Sequence, residues 1–168
     1  MMPVFGLQTL CYVYCQFKRD NSYIDTAWPL SFLLPHAIMY LTYSVNEWRL
    51  DKRSFLLMGC ITLWALRLAF HIGSRHAKNG QEDYRYQYLR KQMSSCGALC
   101  YYIQSFFFIF MLQAGLSCMV NYPLVKVMAY STRNTGWRRP ELIMTDYAGF
   151  SLFFAGFAME TIADYQLN

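Results

Sequence analysis

The chain has 168 residues, of which 55% are hydrophobic and 18% aromatic, and a formal net charge of +5. Its mean hydropathy is +0.14. This length leaves room for one domain and none for a separate soluble one. With about 20 apolar residues needed per crossing, the apolar runs predict an all-α membrane protein, a bundle of about five transmembrane helices spanning 1–17, 23–45, 55–73, 97–120 and 142–162.

The first run, 1–17, lacks a basic start and a small-residue cleavage site, so it reads as a short span rather than a signal peptide. The second, 23–45, carries Asp25, Pro29, Pro35 and His36. Its two prolines free backbone carbonyls that a neighbouring helix or polar side chain must satisfy. The third, 55–73, holds Arg67 and His71, and a polar stretch follows over 74–95. The fourth, 97–120, contains Ser105-Phe106-Phe107-Phe108, and 121–141 reads as a loop with Pro123 and Pro140. The fifth, 142–162, is interrupted early by Asp146.

Lys and Arg divide evenly between the two sides that five spans define. Lys18, Arg19, Arg75, Lys78, Arg85, Arg90 and Lys91 fall on one; Arg49, Lys52, Arg53, Lys126, Arg133, Arg138 and Arg139 fall on the other. Loop charge therefore sets no orientation. The spread reads as anchoring to anionic lipid headgroups and excludes a nucleic-acid patch. Cys11/Cys15 and Cys96/Cys100 are each four apart, but no pair has the spacing of structural zinc sites, and His36, His71 and His76 form no ligand pattern. Small apolar packing is the expected role of these thiols, and no metal is expected. Neither a G-x-G-x-x-G nor a P-loop motif occurs.

What remains is a set of ionisable groups placed in or beside membrane-length runs, where each costs several kcal/mol unless it is paired or lines a polar cavity. Arg67, His71 and Arg75 recur at one-turn intervals, as do Glu160 and Asp164. Antiparallel neighbours bring Asp25 near the end of the third run, as counter-ion to Arg67 or Arg75. Glu160 and Asp164, two like charges on one face, need cations from the 75–90 segment. The expectation is a buried ion-pair network of Asp25, Arg67, His71, Arg75, Glu160 and Asp164, with Trp28, Trp64 and Trp137 as interface anchors.

Five ordered motifs carry a resemblance: Asn21-Ser22 with Asp25 and Trp28; Trp64, Arg67-Leu68, His71 and Arg75; Glu82-Asp83 with Arg85-Tyr86 and Arg90; the aromatic helix ending in Gln113; and Glu160, Ala163-Asp164 and Gln166. Together they resemble the uncharacterised membrane-protein branch of the steroid 5-alpha-reductase superfamily over residues 18–166, with Tyr23 where that branch commonly has a small residue. The resemblance implies a bundle of six or more transmembrane helices that binds NADPH and reduces a C=C bond of a lipid enone. It implies cofactor contacts at Asp164, Arg67, Arg75, Glu82, Asp83 and Arg85, and proton donors or orienters among Glu160, Tyr84 and Tyr86.

The basic C-terminal segment that grips the nucleotide in that superfamily has no counterpart here. Charge-assisted contacts contribute roughly 1.5 to 3 kcal/mol each, so losing four or five removes several powers of ten in affinity. The expected function is therefore a non-catalytic accessory subunit of a membrane complex, without cofactor, among lipids and partner subunits. A mitochondrial respiratory-chain assembly in the inner membrane is favoured over the endoplasmic reticulum or a bacterial inner membrane. The alternative is an NADPH-dependent reductase completed by a second polypeptide.

Overall fold

A computed structural model describes residues 2–47, 52–133 and 141–166, apart from the side chains of 43–47 and 131–133. Every regular element among the described residues is helical: α1 (Met2–Lys18), α2 (Tyr23–Glu47), α3 (Lys52–Asn79), α4 (Tyr84–Met93), α5 (Ala98–Ser105), α6 (Leu112–Arg133) and α7 (Met144–Gln166). A 3₁₀ turn, Ser94–Cys96, precedes α5, and a π-helical segment, Phe106–Met111, joins α5 to α6. Two helical stretches are long and apolar enough to cross a bilayer, Lys52–Asn79 and Ala98–Tyr130. At 1.5 Å per residue, the 28 residues of α3 extend about 42 Å, beyond the roughly 30 Å of a hydrocarbon core. The fourth helical stretch is longer than expected. Residues 121–133, read above as the start of a loop, continue α6 through Pro123, because a proline removes one donor without ending a helix whose other bonds hold.

The most extensive interface joins α2 to α3, followed by α1 to α2. Gly73 permits the first: a Cβ there would stand 3.2 Å from Thr26 Cγ2. The apolar centre gathers Cys15, Ile24, Tyr86, Ile109 and Phe110. Here Tyr12 of α1 meets Phe106 and Phe110 edge-on at 5.1 and 5.2 Å. Such edge-to-face pairs add to plain area burial.

Pro35 of α2 is answered as the sequence requires. Pro35 leaves the Ser31 carbonyl without its helical donor. Asn121 of α6 approaches it with Nδ2 at 3.4 Å, while Ser31 Oγ donates to Ser117 Oγ at 2.9 Å. His36 sits fully buried with Nδ1 2.7 Å from the Phe32 carbonyl. Asn121→Leu is expected to lower stability by about 1 to 2 kcal/mol by orphaning this carbonyl; denaturant unfolding in detergent checks it, and a loss below the error of the measurement counts against the role.

The helix α7 packs differently. None of its described residues is buried, and it is held to α3 by polar contacts at two levels. Arg53 Nη2 meets Asp146 Oδ2 at 2.7 Å near the helix starts. Arg67 pairs with Glu160, and with Asp164 at 2.6 Å, near the ends. Arg53 to Arg67 and Asp146 to Glu160 are each 14 residues (67 − 53 and 160 − 146). The helices therefore run parallel in register, with clasps about 21 Å apart.

Cys96 and Cys100 form a disulfide, a correction to the expected apolar packing of this pair. Gly97, at φ +103°, breaks the helix between them, and their Cα atoms lie 5.8 Å apart, within disulfide range. Cys11 and Cys15, on unbroken helix, keep Sγ atoms 3.9 Å apart as free thiols. Trp137, Arg49, Arg138 and Arg139 lie outside the described residues, as does the Arg133 side chain.

Candidate functional site

The turn between α1 and α2 and the start of α4 interlock through short polar residues that the sequence keeps adjacent in pairs. Asn21 N–H donates to Glu82 Oε1 at 2.8 Å, and Asp83 N–H donates to Ser22 Oγ at 2.7 Å. Asn21 also donates from Nδ2 to Tyr101 at 3.1 Å and accepts from Gln16 at 3.0 Å. Arg90 completes this junction: it donates to both Glu82 oxygens, at 2.7 and 3.1 Å, and to the Arg19 carbonyl at 3.0 Å, and lies over the Tyr101 ring at 5.1 Å. The bond to Glu82 holds its guanidinium above the ordinary range. Arg19 adopts φ +55°, a left-handed conformation that an arginine rarely takes, and this clamp secures it. On the other side of the turn, His76 Nε2 lies 3.0 Å from Asp20 Oδ2.

Asp83 caps α4 by accepting from Arg85 N–H at 3.0 Å. Arg85 also donates from its side chain to Asp83 and, at 2.9 Å, to Asp25 Oδ2. The hydrogen bond to Arg85 holds the Asp83 carboxyl below its usual range and, reciprocally, raises the Arg85 guanidinium. A lowered folded-state pKa contributes stability that is complete above the ordinary carboxylate value and is lost as pH falls through the depressed one. Unfolding followed from pH 6 to 2 is therefore expected to show wild-type stability falling below about pH 4; Asp83→Asn should flatten that slope, and an unchanged slope removes Asp83 as its source.

Asp25 is the centre of the site. Its Oδ1 accepts from the Tyr86 hydroxyl at 2.6 Å while Oδ2 takes Arg85. Tyr86 is buried, and burial first, then the Asp25 charge, raises its phenol above the ordinary range. In front of Asp25 opens a cavity of about 470 Å³, walled by Trp28, Leu68, Ile72 and Leu116 and by the polar Arg75, Arg85 and Gln113. A smaller cavity of about 50 Å³, with Ser22, His76 and Asp83 in its wall, adjoins it through Asp25 and Arg75. Gln113 Oε1 is buried without a partner.

The residues singled out from sequence thus divide into two places. Asp25, Arg75, Glu82, Asp83, Arg85 and Tyr86 share the site at the α1–α2 turn. Arg67, His71, Glu160 and Asp164 form the second clasp between α3 and α7, where His71 Nε2 lies 3.6 Å from Asp164 Oδ1 and Trp64 Nε1 donates to Glu160 at 3.1 Å. Several expectations are corrected. Asp25 pairs with Arg85 rather than Arg67 or Arg75, because α4 folds back over the start of α2. The side chains facing Glu160 and Asp164 are Arg67 and His71 of the adjacent helix, not those of the 75–90 segment. Arg75 forms no ion pair among the described residues; it faces the cavity. Tyr84 is 78% exposed and outside it. Trp64 donates to Glu160, and Trp28 lines the cavity.

The ion pair Arg53–Asp146 was not anticipated. The equal 14-residue intervals that place these residues one clasp before Arg67 and Glu160 were its available signal. Among the described residues no three His, Cys, Asp or Glu side chains converge as metal ligands.

A dinucleotide needs several arginines free to take phosphate oxygens. Arg67 is committed to Glu160 and Asp164, Arg85 to Asp83 and Asp25, and Arg90 to Glu82. Of the cofactor-side arginines, Arg75 alone forms no ion pair among the described residues.

These features define an all-helical protein with two helices able to cross a bilayer and a charged cavity beside α4. The chain belongs to the DUF1295 family, described as proteins of unknown function and related to steroid 5-alpha-reductase-like proteins; the family model matches residues 11–168. No curated protein and no solved structure matches it.

Proposed function

We propose that this chain is a non-catalytic accessory subunit of a membrane complex, a five-span scaffold descended from a steroid-reductase-like enzyme. The observation that carries the reading is the engagement of Arg67, Arg85 and Arg90 by internal carboxylates, which converts the groups suited to a nucleotide into links between helices. The unburied faces of α7 support it further, since the apolar side chains it leaves uncovered away from its clasps need lipid or partner helices as their surroundings. Within this reading the five spans are α1, α2, α3, the α5–α6 stretch and α7, and the setting is a respiratory-chain assembly of the mitochondrial inner membrane. Detergent extraction from the native membrane, followed by native mass spectrometry, tests the proposal. A fixed stoichiometry with the same partner subunits, in mitochondrial fractions, is expected; a monodisperse single chain overturns it, and fractionation to the endoplasmic reticulum moves the setting.

A second reading is favoured by one observation, the Tyr86 hydroxyl and Asp25 carboxylate beside a cavity with apolar walls. In it the pair orients or protonates the carbonyl of a lipid enone, while a second polypeptide holds the hydride donor, NADPH. Saturable quenching of NADPH fluorescence by the assembled protein, with enone reduction lost in Tyr86→Phe, supports this reading over the first.

A further inference from the structure

We propose that the crevice between α3, α6 and α7 is a binding site for one phospholipid with a primary-ammonium headgroup, resting on the membrane reading above. The crevice encloses about 310 Å³, and its wall is apolar along its length: Leu57 and Cys60 from α3, Leu124 and Val127 from α6, Phe150 and Phe153 from α7. It exists because α7 is held to α3 by its two ionic clasps, so the face of α7 beside α6 is left uncovered. A void of this kind in hydrocarbon loses the dispersion contacts of its whole lining, which an acyl chain restores. Its size, at the small end of ligand cavities, admits one acyl chain.

The polar end selects the headgroup. Arg53 and Asp146 stand together on the same wall, paired at 2.7 Å and still 20% and 15% accessible. A positive and a negative group side by side match a zwitterion: the guanidinium takes phosphate oxygens, and the carboxylate accepts from an ammonium. Asp146 is oriented for this by the Ile143 N–H, which donates to Oδ2 at 2.9 Å and leaves Oδ1 for a ligand. A choline headgroup has no N–H to donate, and a purely anionic headgroup or a fatty acid places a like charge beside Asp146. Ethanolamine phospholipids satisfy both groups.

Gly149 supplies the decisive variant. It lines the crevice, and a Cβ added there meets nothing within 4 Å, so a larger side chain enters space the lipid would occupy without disturbing the helices. The purified, delipidated full chain is titrated with ethanolamine, choline and glycerol phospholipids of identical acyl chains, and binding is read by native mass spectrometry with thermal unfolding in parallel. One ethanolamine lipid per chain is expected, with at least fivefold tighter apparent binding than either competitor and an upward shift in Tm. Gly149→Leu should abolish binding while keeping the lipid-free Tm, and Arg53→Gln should reduce the ethanolamine preference to the choline level. Equal binding of the three lipids, unchanged binding in Gly149→Leu, or retention of a partner's helix in place of lipid overturns the proposal. Release of the chain from native membranes by alkaline carbonate without detergent overturns the membrane reading instead.

Discussion

Arg67→Met is expected to lower the unfolding free energy by about 3 to 5 kcal/mol, the largest effect of any single substitution in this chain. Among the described residues Arg67 is the one permanent cation facing Glu160 and Asp164, and its side chain is only 17% accessible. Without it two carboxylates one turn apart on α7 face each other beside an apolar helix, with His71, 3.6 Å from Asp164, as the remaining partner. Removing a charge from such a cluster leaves its partners uncompensated, which is far more costly than removing the whole cluster. The triple variant Arg67→Met, Glu160→Gln, Asp164→Asn should therefore recover most of the loss. Unfolding in mixed micelles measures both; a single-variant loss under about 1 kcal/mol, the range of a solvated surface pair, would show that the clasp is not desolvated.

Glu82→Ala is expected to have the second largest effect, about 2 to 3 kcal/mol, because one carboxylate serves two donors on different elements. It accepts the Asn21 N–H and both hydrogen bonds from Arg90, and its side chain is 11% accessible. Its loss leaves the Asn21 N–H without an acceptor and Arg90 with the Arg19 carbonyl alone, and loosens α4 from the α1–α2 turn. Hydrogen exchange separates this from a general loss of stability: amides of 84–93 and 19–22 should speed up before those of α3. Glu82→Gln keeps an acceptor for Asn21 and should retain about half of the stability. Uniform acceleration across all helices would assign Glu82 to the global fold rather than to this junction.

The long apolar helices were legible in the chain itself, whereas α4 formed within the 74–95 stretch that read only as polar. Apolar runs of membrane length place α1, α2 and α7 within a few residues, and α3 at its start, though α3 runs six residues past the expected 73, since burial of an apolar stripe and backbone hydrogen bonding are local in sequence. Where the reading failed, it failed at ends and joints. Pro123 looked like a terminator, yet α6 runs on to Arg133, and Gly97 was unremarkable in sequence, yet its positive φ brings Cys96 to Cys100. The site was legible as a set of residues and not as a set of pairs. Glu82, Asp83 and Arg85 were recognisable as a motif, but nothing local says that Asn21 and Ser22, sixty residues earlier, receive them.

From composition and spacing alone came the all-helical character, the need to neutralise charge within apolar runs, and the requirement that Pro35 be answered by a neighbour, for each follows from the free energy of a single segment in its surroundings. Which carboxylate neutralises which arginine depended on the packing of α4 over α2 and of α7 along α3. A charge pair is worth only what its distance and desolvation make it, and both are properties of elements brought together from distant parts of the chain. The same holds for the three cavities, which belong to no segment and exist only in the gaps between elements.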